Sequence, residues 1–183
     1  MTESRKDSHP ALAVFGYSQA AMFLARTPPP NVTAVLSIHG RREFAVPSAP
    51  GVRRLDLCFD DVDVPETDDD VGRLRAAARR RWAAEVGLSE RPPTPADAAA
   101  VIDFARAMQG TKGIVLCHCG AGMSRAPAAA LIFLATWRGP GTEAECVAEL
   151  RRLCPAAAPH ASLVRFADGM LDRQGALTAA LRK

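Results

Sequence analysis

Apolar and polar positions follow two periodicities along the chain, which predict strands separated by helices. Residues 11–15, 32–38 and 113–117 form short apolar runs of the kind found in buried strands. Residues 52–58 instead alternate apolar and charged positions, which indicates a strand near the edge of a sheet. The run at 113–117 is the expected central strand.

Helical patterns fill the intervals between these runs. A first helix is predicted over residues 18–26, and a second, rich in Arg and Ala, over residues 71–86. Thr94 and Pro95 mark the start of a helix that runs to about Met108, because Thr is a common N-cap and Pro a common first helical residue. Three more helices are predicted: an apolar one at 123–137, one at 142–154 that opens on a capping-box pattern, and an amphipathic one at 161–173.

Strands that alternate with helices are typical of an α/β fold with a largely parallel sheet. We therefore expect about four to five strands flanked by helices. Neither a repeat nor a shift in composition divides the chain, so residues 10–183 are predicted to form a single domain behind a disordered tail at residues 1–9.

The composition narrows the classes of function and partner. The 183 residues are 48% hydrophobic, which suits one domain with a sizeable core. The net charge of +3 gives no reason to expect a nucleic-acid partner. No apolar stretch approaches the ~20 residues that cross a bilayer, so no membrane partner and a cytoplasmic location are expected. Five cysteines in a chain of this length indicate reduced thiols rather than a disulfide framework.

The candidate chemistry lies between the apolar run at 113–117 and the apolar helix after it. A loop with two glycines that follows a strand can curl so that its backbone N–H groups point inward, and the next helix adds donors at its N-terminus. Such a loop binds an anion and favours the thiolate form of a cysteine at its base. An arginine at its end supplies a planar fork that suits two phosphate oxygens. The residues are His118-Cys119-Gly120-Ala121-Gly122-Met123-Ser124-Arg125.

Other roles for these cysteines have to be weighed. Cys117, His118 and Cys119 could be metal ligands, but neighbouring strand residues face opposite ways and no second ligand pair is apparent, so we expect no metal. Cys58 could form a protective disulfide with Cys119, but burial in a strand is the favoured interpretation.

The loop resembles the active-site signature of the cysteine-based protein tyrosine and dual-specificity phosphatases. It matches their pattern His-Cys-x-Ala-Gly-x-Ser-Arg at every position. Phe59-Asp60-Asp61 is similar to the general-acid segment of that family, and Cys154-Pro155 with Pro159-His160 is similar to its Arg-Pro…Pro-Asn segment. The combination is most similar to a bacterial branch of predicted tyrosine phosphatases, and it implies a dual-specificity-phosphatase-like fold.

The resemblance implies a phosphatase that hydrolyses phosphate monoesters through a phosphocysteine intermediate, without metal or cofactor. The implied partner is a phosphorylated protein, with phosphotyrosine as the family-level substrate, or a small phosphomonoester, and phosphate or another oxyanion sits in the loop. Cys119 is then the nucleophile and Arg125 the phosphate clamp. His118 orients the loop and favours the thiolate. The backbone donors to the substrate come from Gly120, Ala121, Gly122, Met123 and Ser124.

The general acid has several candidates. In family members with Phe-Asp-Asp the second Asp is typically the acid, which selects Asp61 and leaves Asp60 as the alternative. The interval from Asp61 to Cys119 is longer than is usual in the family, and the Arg-rich helix at 71–86 could be an insertion that fills it. All the acidic candidates are Asp56, Asp60, Asp61, Asp63 and Asp68 to Asp70.

Two departures from the family pattern bear on function. Ala126 stands where family members usually have Ser or Thr, whose hydroxyl stabilises the leaving thiolate. The aromatic recognition loop of strict phosphotyrosine enzymes has no clear equivalent. The alternatives are therefore a catalytically weak phosphate-binding module and, less favoured by the loop length and the His-Cys opening, a rhodanese-like sulfurtransferase or an arsenate reductase.

Overall fold

The computed structural model describes residues 9–26, 31–41, 43–47, 50–64, 70–85 and 91–182. In these residues one sheet of four parallel strands has the order β1-β4-β2-β3. The expected parallel α/β fold is confirmed, with 113–117 inside the sheet and 52–58 at its edge. The strands are β1 (Ala11–Gly16), β2 (Val32–His39), β3 (Arg53–Cys58) and β4 (Ile114–Cys119).

Helices flank the sheet, close to the predicted intervals. The apolar helix α4 begins at Arg125, because the loop before it keeps residues 120–124 out of regular structure. The last predicted helix, 161–173, ends earlier than expected, at Met170 in α6. A short α7, which the sequence pattern did not predict, follows the N-cap Gly175, whose φ is +84°. The helices are α1 (Tyr17–Leu24), α2 (Asp70–Glu85), α3 (Pro95–Met108), α4 (Arg125–Arg138), α5 (Glu143–Leu153), α6 (Ala161–Met170) and α7 (Ala176–Leu181).

The core lies mainly between the sheet and α4. Nearly every α4 side chain is buried, and the helix packs against β4, α3, α5 and α6. A smaller apolar cluster around Ala20, Val35, Val46 and Leu116 covers the other face of the sheet beneath α1. The helix after the candidate loop is therefore fixed on all sides, so its N-terminus is a rigid part of the site.

Two helix starts were predicted from capping residues, with different outcomes. Thr94 caps α3 as predicted: its hydroxyl accepts the Asp97 N–H, and the Asp97 carboxylate accepts the Thr94 N–H at 2.8 Å. The capping box at Thr142 is wrong, because that hydroxyl donates to the Gly139 carbonyl at 2.8 Å and leaves the start of α5 without a side-chain cap.

Several predictions fall on residues that are described only in part. Residues 1–8 of the predicted tail, and Asp68 and Asp69 among the acid candidates, lie outside the described residues. His9, the last residue of that predicted tail, stacks on Trp137 with ring centroids 4.8 Å apart. Every α2 side chain that is described is exposed.

None of the helices described is long and apolar enough to cross a membrane.

Candidate active site

The candidate loop begins at the end of β4, which reaches Cys119 rather than ending at Cys117 as predicted. Cys119 is buried and aligned with Gly16 at the end of β1. The N–H of Tyr17 donates to the Gly120 carbonyl at 2.9 Å, which ties the first loop residue to the start of α1. The thiol therefore lies where strand, loop and helix meet, at the carboxyl end of a parallel sheet.

Both glycines of the loop lie very close to neighbouring segments, and at Gly122 the backbone itself requires glycine. Gly122 has φ of +78°, and a Cβ there would collide with the backbone of Phe15 and Gly16. A Cβ on Gly120 would collide with the carboxylate of Glu43. The loop is thus packed tightly against β1 on one side and against the segment after β2 on the other.

The sulfur of Cys119 receives a backbone donor. The Gly122 N–H donates to Sγ at 3.2 Å, a contact that stabilises negative charge on sulfur. Cys117, two residues earlier on the same strand, is different: burial raises the pKa of its thiol to about 12. Of these two neighbouring cysteines, only Cys119 has a backbone N–H donor directed at its sulfur.

Arg125, the first residue of α4, is held from outside by a residue that sequence reasoning missed. The Glu43 carboxylate accepts from Nη1 at 2.8 Å and from Nη2 at 2.9 Å, and the Phe59 carbonyl also accepts from Nη1 at 3.0 Å. Glu43 in turn accepts the Gly40 N–H at 2.7 Å. The guanidinium is thereby fixed in one plane by a two-point contact.

The charges of this pair reinforce each other. The hydrogen bonds from Arg125 hold the pKa of the Glu43 carboxyl below its usual value. Burial alone would lower the pKa of Arg125, but the hydrogen bonds and charge of Glu43 outweigh burial and raise it. Both groups therefore remain ionised at neutral pH.

The other edge of the guanidinium, which carries Nε, faces no acceptor among the described residues. The Nε of Arg125 is buried and has no hydrogen-bond partner among the described residues. A buried donor left unpaired is costly, whereas an oxyanion bound there would satisfy it. Glu43 thus occupies one edge of Arg125 and leaves the Nε edge for an anion.

We expect Glu43→Gln to lower turnover of a phosphomonoester by roughly tenfold, because the amide replaces one of two charge-assisted acceptors with a donor. Steady-state kinetics on the purified variant would measure this, with Glu149→Gln as the control. Glu149 pairs with Arg138 and Arg152, away from the loop. Equal rates in Glu43→Gln and wild type would show that Arg125 needs no such support.

His118 lies in β4 with its ring buried, 6.4 Å from the ring of Tyr17 in an edge-on arrangement. Burial, and then the charge of Arg54, lower the pKa of its imidazole to about 4. The ring is therefore neutral at neutral pH, and it brings no positive charge to the thiolate.

Asp61 is the acidic candidate that reaches the loop. The Ser124 hydroxyl donates to Oδ1 of Asp61 at 2.6 Å, which joins the general-acid segment to the residue before Arg125. Asp60 instead accepts the Arg91 N–H at 2.8 Å and lies against Gly40. Asp56 is paired with Arg54 at 2.6 Å on β3. Of these three carboxylates, only that of Asp61 is joined to the loop by a hydrogen bond.

The segment between α5 and α6 supports the loop from behind. The Ala158 N–H donates to the Met123 carbonyl at 2.8 Å, and the His160 N–H donates to the Ser124 carbonyl at 3.3 Å. The Cys154 thiol lies 3.7 Å from the Gly122 carbonyl. The residues compared above with the Arg-Pro…Pro-Asn segment thus lie directly behind the loop.

No group of three or more His, Cys, Asp or Glu side chains that could hold a metal ion occurs in the described part of the chain. All five cysteines are free, including Cys58 and Cys119. The loop, the Nε edge of Arg125 and the carboxylate of Asp61 together can bind an oxyanion beside a thiol and a proton donor.

Comparison of sequences gives no relative: neither a protein-family model nor a curated protein matches the chain. Comparison of structures, in contrast, finds several similar proteins. Human DUSP28 aligns over 92% of this chain and 96% of its own, with a TM-score of 0.52 and 20% identity. The Yvh1 phosphatase domain from Chaetomium thermophilum covers 94% and 95%, with a TM-score of 0.53 and 19% identity.

PTPMT1 is similar to the chain to the same degree. It covers 94% of this chain and 96% of its own, with a TM-score of 0.51 and 18% identity. PTPMT1 has also been solved in complex with PI(5)P. At these identities the comparisons establish a fold shared with dual-specificity and protein tyrosine phosphatases.

Proposed function

We propose that the chain is a cysteine-dependent phosphatase that hydrolyses phosphate monoesters, with Cys119 as nucleophile, Arg125 as clamp and Asp61 as general acid. The observation that carries the proposal is the buried, unpartnered Nε edge of Arg125 at the end of the loop that begins at Cys119. A planar donor edge fixed on its far side by Glu43 suits the oxygens of a phosphoryl group.

In the first step the Cys119 thiolate attacks phosphorus in line, and the S–P bond forms as the bond to the leaving oxygen breaks. Asp61 gives its proton to that oxygen. The loop N–H groups and Arg125 hold the other phosphoryl oxygens, where charge is carried in the transition state. The contacts of Arg125 with Glu43 and Phe59 support this proposal, because a guanidinium already held in place needs little reorganisation.

In the second step water attacks the phosphocysteine, and the S–P bond breaks to release phosphate and the Cys119 thiolate. Asp61, now ionised, accepts a proton from the water. Each step moves one proton through the same carboxyl group, so the enzyme returns to its starting state without a redox cofactor or metal.

Phosphotyrosine in proteins is the proposed substrate class. It rests on the match of the loop to the tyrosine and dual-specificity signature and on the shared fold. Because PTPMT1 was solved with PI(5)P, a phosphoinositide belongs beside phosphotyrosine and phosphoserine peptides in the first substrate panel.

Hydrolysis of p-nitrophenyl phosphate in the presence of a chelator tests the proposal. We expect turnover that depends on Cys119 and is inhibited by vanadate. Phosphate binding without turnover would instead identify a binding module. Transfer of sulfur from thiosulfate or reduction of arsenate, without phosphatase activity, would identify one of the other thiolate enzymes.

Ala126 bears on the second step. It is fully buried at the start of α4, and the Ser124 hydroxyl nearby donates its proton to Asp61. Among the described residues, only the Gly122 N–H donates to the Cys119 sulfur. Within the described ranges, no side-chain hydroxyl donates to this sulfur.

We expect Ala126→Ser to raise the steady-state rate and to shrink a burst of p-nitrophenol. A hydrogen bond from a hydroxyl to a thiolate contributes about 1.5–3 kcal/mol of stabilisation. The part of this stabilisation that arises only in the transition state accelerates the step, by roughly ten- to a hundredfold. In wild type, the phosphoenzyme should therefore form faster than it is hydrolysed, which gives a burst of p-nitrophenol near one equivalent of enzyme. Rapid-quench kinetics would measure both.

The control is Ala129→Ser, which adds the same hydroxyl at another buried position of α4. This variant should keep the burst of wild type. No burst in wild type, together with an unchanged rate in Ala126→Ser, would show that phosphoenzyme hydrolysis is already fast.

A further inference from the structure

His160 precedes α6 and lies between the two carboxylates of the general-acid segment. Its side chain is almost completely buried. Nδ1 is 3.2 Å from Oδ1 of Asp63, and Nε2 is 3.8 Å from Oδ1 of Asp61. Neither ring nitrogen completes a hydrogen bond with a described residue. A buried imidazole whose two ring nitrogens lie near carboxylates but complete no hydrogen bond needs an explanation beyond packing.

The side of the ring that faces Asp63 is part of a fixed attachment. Oδ1 of Asp63 accepts the N–H of Ser162 at 3.1 Å and its hydroxyl at 2.9 Å, and the Val64 N–H donates to the Ser162 hydroxyl at 2.7 Å. A carboxylate at a helix N-terminus is stabilised by the donors there. Residues 63–64 are therefore anchored to α6 whether or not the imidazole contributes.

The side that faces Asp61 is different, because that carboxylate has the proposed chemical role. The Ser124 hydroxyl donates to Oδ1, the same oxygen that Nε2 of His160 approaches. Oδ2 of Asp61 accepts no hydrogen bond from a described residue. A carboxylic acid that accepts on one oxygen carries its proton on the other, so contacts to Oδ1 select Oδ2 as the acidic oxygen.

We infer that His160 is a positioning residue for the general acid: its Nε2–H holds Oδ1 of Asp61 so that Oδ2 presents the proton to the leaving oxygen. This inference rests on the proposed function. The distance of 3.8 Å is too long for a hydrogen bond in the substrate-free structure, and a closure of about 1 Å completes it when substrate binds, as catalytic contacts commonly do.

Two variants separate the two sides of the ring. The amide nitrogen of Gln reaches the place of Nε2, whereas that of Asn reaches only the place of Nδ1. His160→Gln therefore keeps a donor for Asp61, and His160→Asn keeps one for Asp63 alone. The readout is the ratio of kcat/KM on p-nitrophenyl phosphate to that on phenyl phosphate, because phenolate leaves poorly without a proton.

We expect His160→Asn to lose roughly tenfold on phenyl phosphate and less than threefold on p-nitrophenyl phosphate, and His160→Gln to stay within about threefold of wild type on both. Equal losses of the two variants, or equal losses on the two substrates, would mean that His160 serves packing alone and would overturn the inference.

A measurement without turnover keeps the inference separate from the proposed function. The chain has four histidines, so the ring nitrogen signals of His160 can be assigned by NMR in the presence of vanadate. Asp61→Asn should shift the Nε2 signal and leave Nδ1 nearly unchanged, and Asp63→Asn should do the reverse. If Asp61→Asn leaves the Nε2 signal unchanged, the inference is overturned, even if the enzyme is active.

Discussion

Cys119→Ser should abolish hydrolysis of p-nitrophenyl phosphate, to below a few per cent of wild-type turnover, while the protein still binds phosphate or vanadate. A serine hydroxyl stays protonated under conditions in which a thiol at a loop of N–H donors becomes thiolate, so the variant lacks the nucleophile. In the proposed anion site the donors are the loop amides and Arg125, and neither is altered by the exchange of sulfur for oxygen.

Turnover would be followed by release of p-nitrophenol, and binding by calorimetry with vanadate. Cys58→Ser is the matched control, since Cys58 is a partly buried thiol at the end of β3. Its activity should match wild type. Substantial turnover in Cys119→Ser would exclude Cys119 as the nucleophile, and loss of both activity and binding would place Cys119 in the anion site only.

Arg125→Lys should cost at least ~100-fold in turnover, or about 2.7 kcal/mol of transition-state stabilisation. Lysine keeps the charge but offers a single ammonium group, which cannot bind Glu43 through two nitrogens and also present an edge to the substrate. The loss should fall mainly on kcat, because the planar fork matches the transition-state oxygens better than the ground state.

Steady-state kinetics with circular dichroism to verify folding would test this. Arg138→Lys provides the comparison, because Arg138 ends the same helix and faces Glu149 at 3.8 Å, far from the loop. That variant should retain wild-type kinetics. A loss under threefold in Arg125→Lys would leave the clamp without support.

The sequence pattern predicted the strands and the loop because each is local. A strand, two glycines and an apolar helix follow one another within a short stretch, and the helix α3 carries its cap in its first residues. The start of α5 shows the limit of such patterns. Thr142 has the right neighbours for a cap, but its hydroxyl bonds to the Gly139 carbonyl instead.

The partners of the loop depend on packing between distant segments. Glu43 lies 82 positions before Arg125, in a stretch without regular structure and without a motif. The sequence contains one indication of its role: Glu43 is an acidic residue in the loop that follows β2, at the carboxyl edge of the sheet. Asp61 was selected from a group of carboxylates by resemblance, and the contact that joins it to Ser124 becomes visible only in three dimensions.

The order of the strands has a consequence for how the protein forms during synthesis. β1 pairs with β4, and so does β2, whereas β1 and β2 do not touch each other in the sheet. Only β2 and β3 can pair before residues 114–119 have left the ribosome. Pairing of Ala11 with Ile114 closes a very long loop of the chain. The chain loses conformational entropy before the contacts that offset this loss can form, so folding is slow.

Until then the apolar edges of β1 and β2 remain open to pairing with other chains, and a truncated product that ends before β4 should aggregate. β4, the strand that pairs with both β1 and β2, is also the one that ends in Cys119. The Cys119 thiol thus reaches its backbone donor only in the step that completes the sheet, and a partly folded chain has no assembled loop.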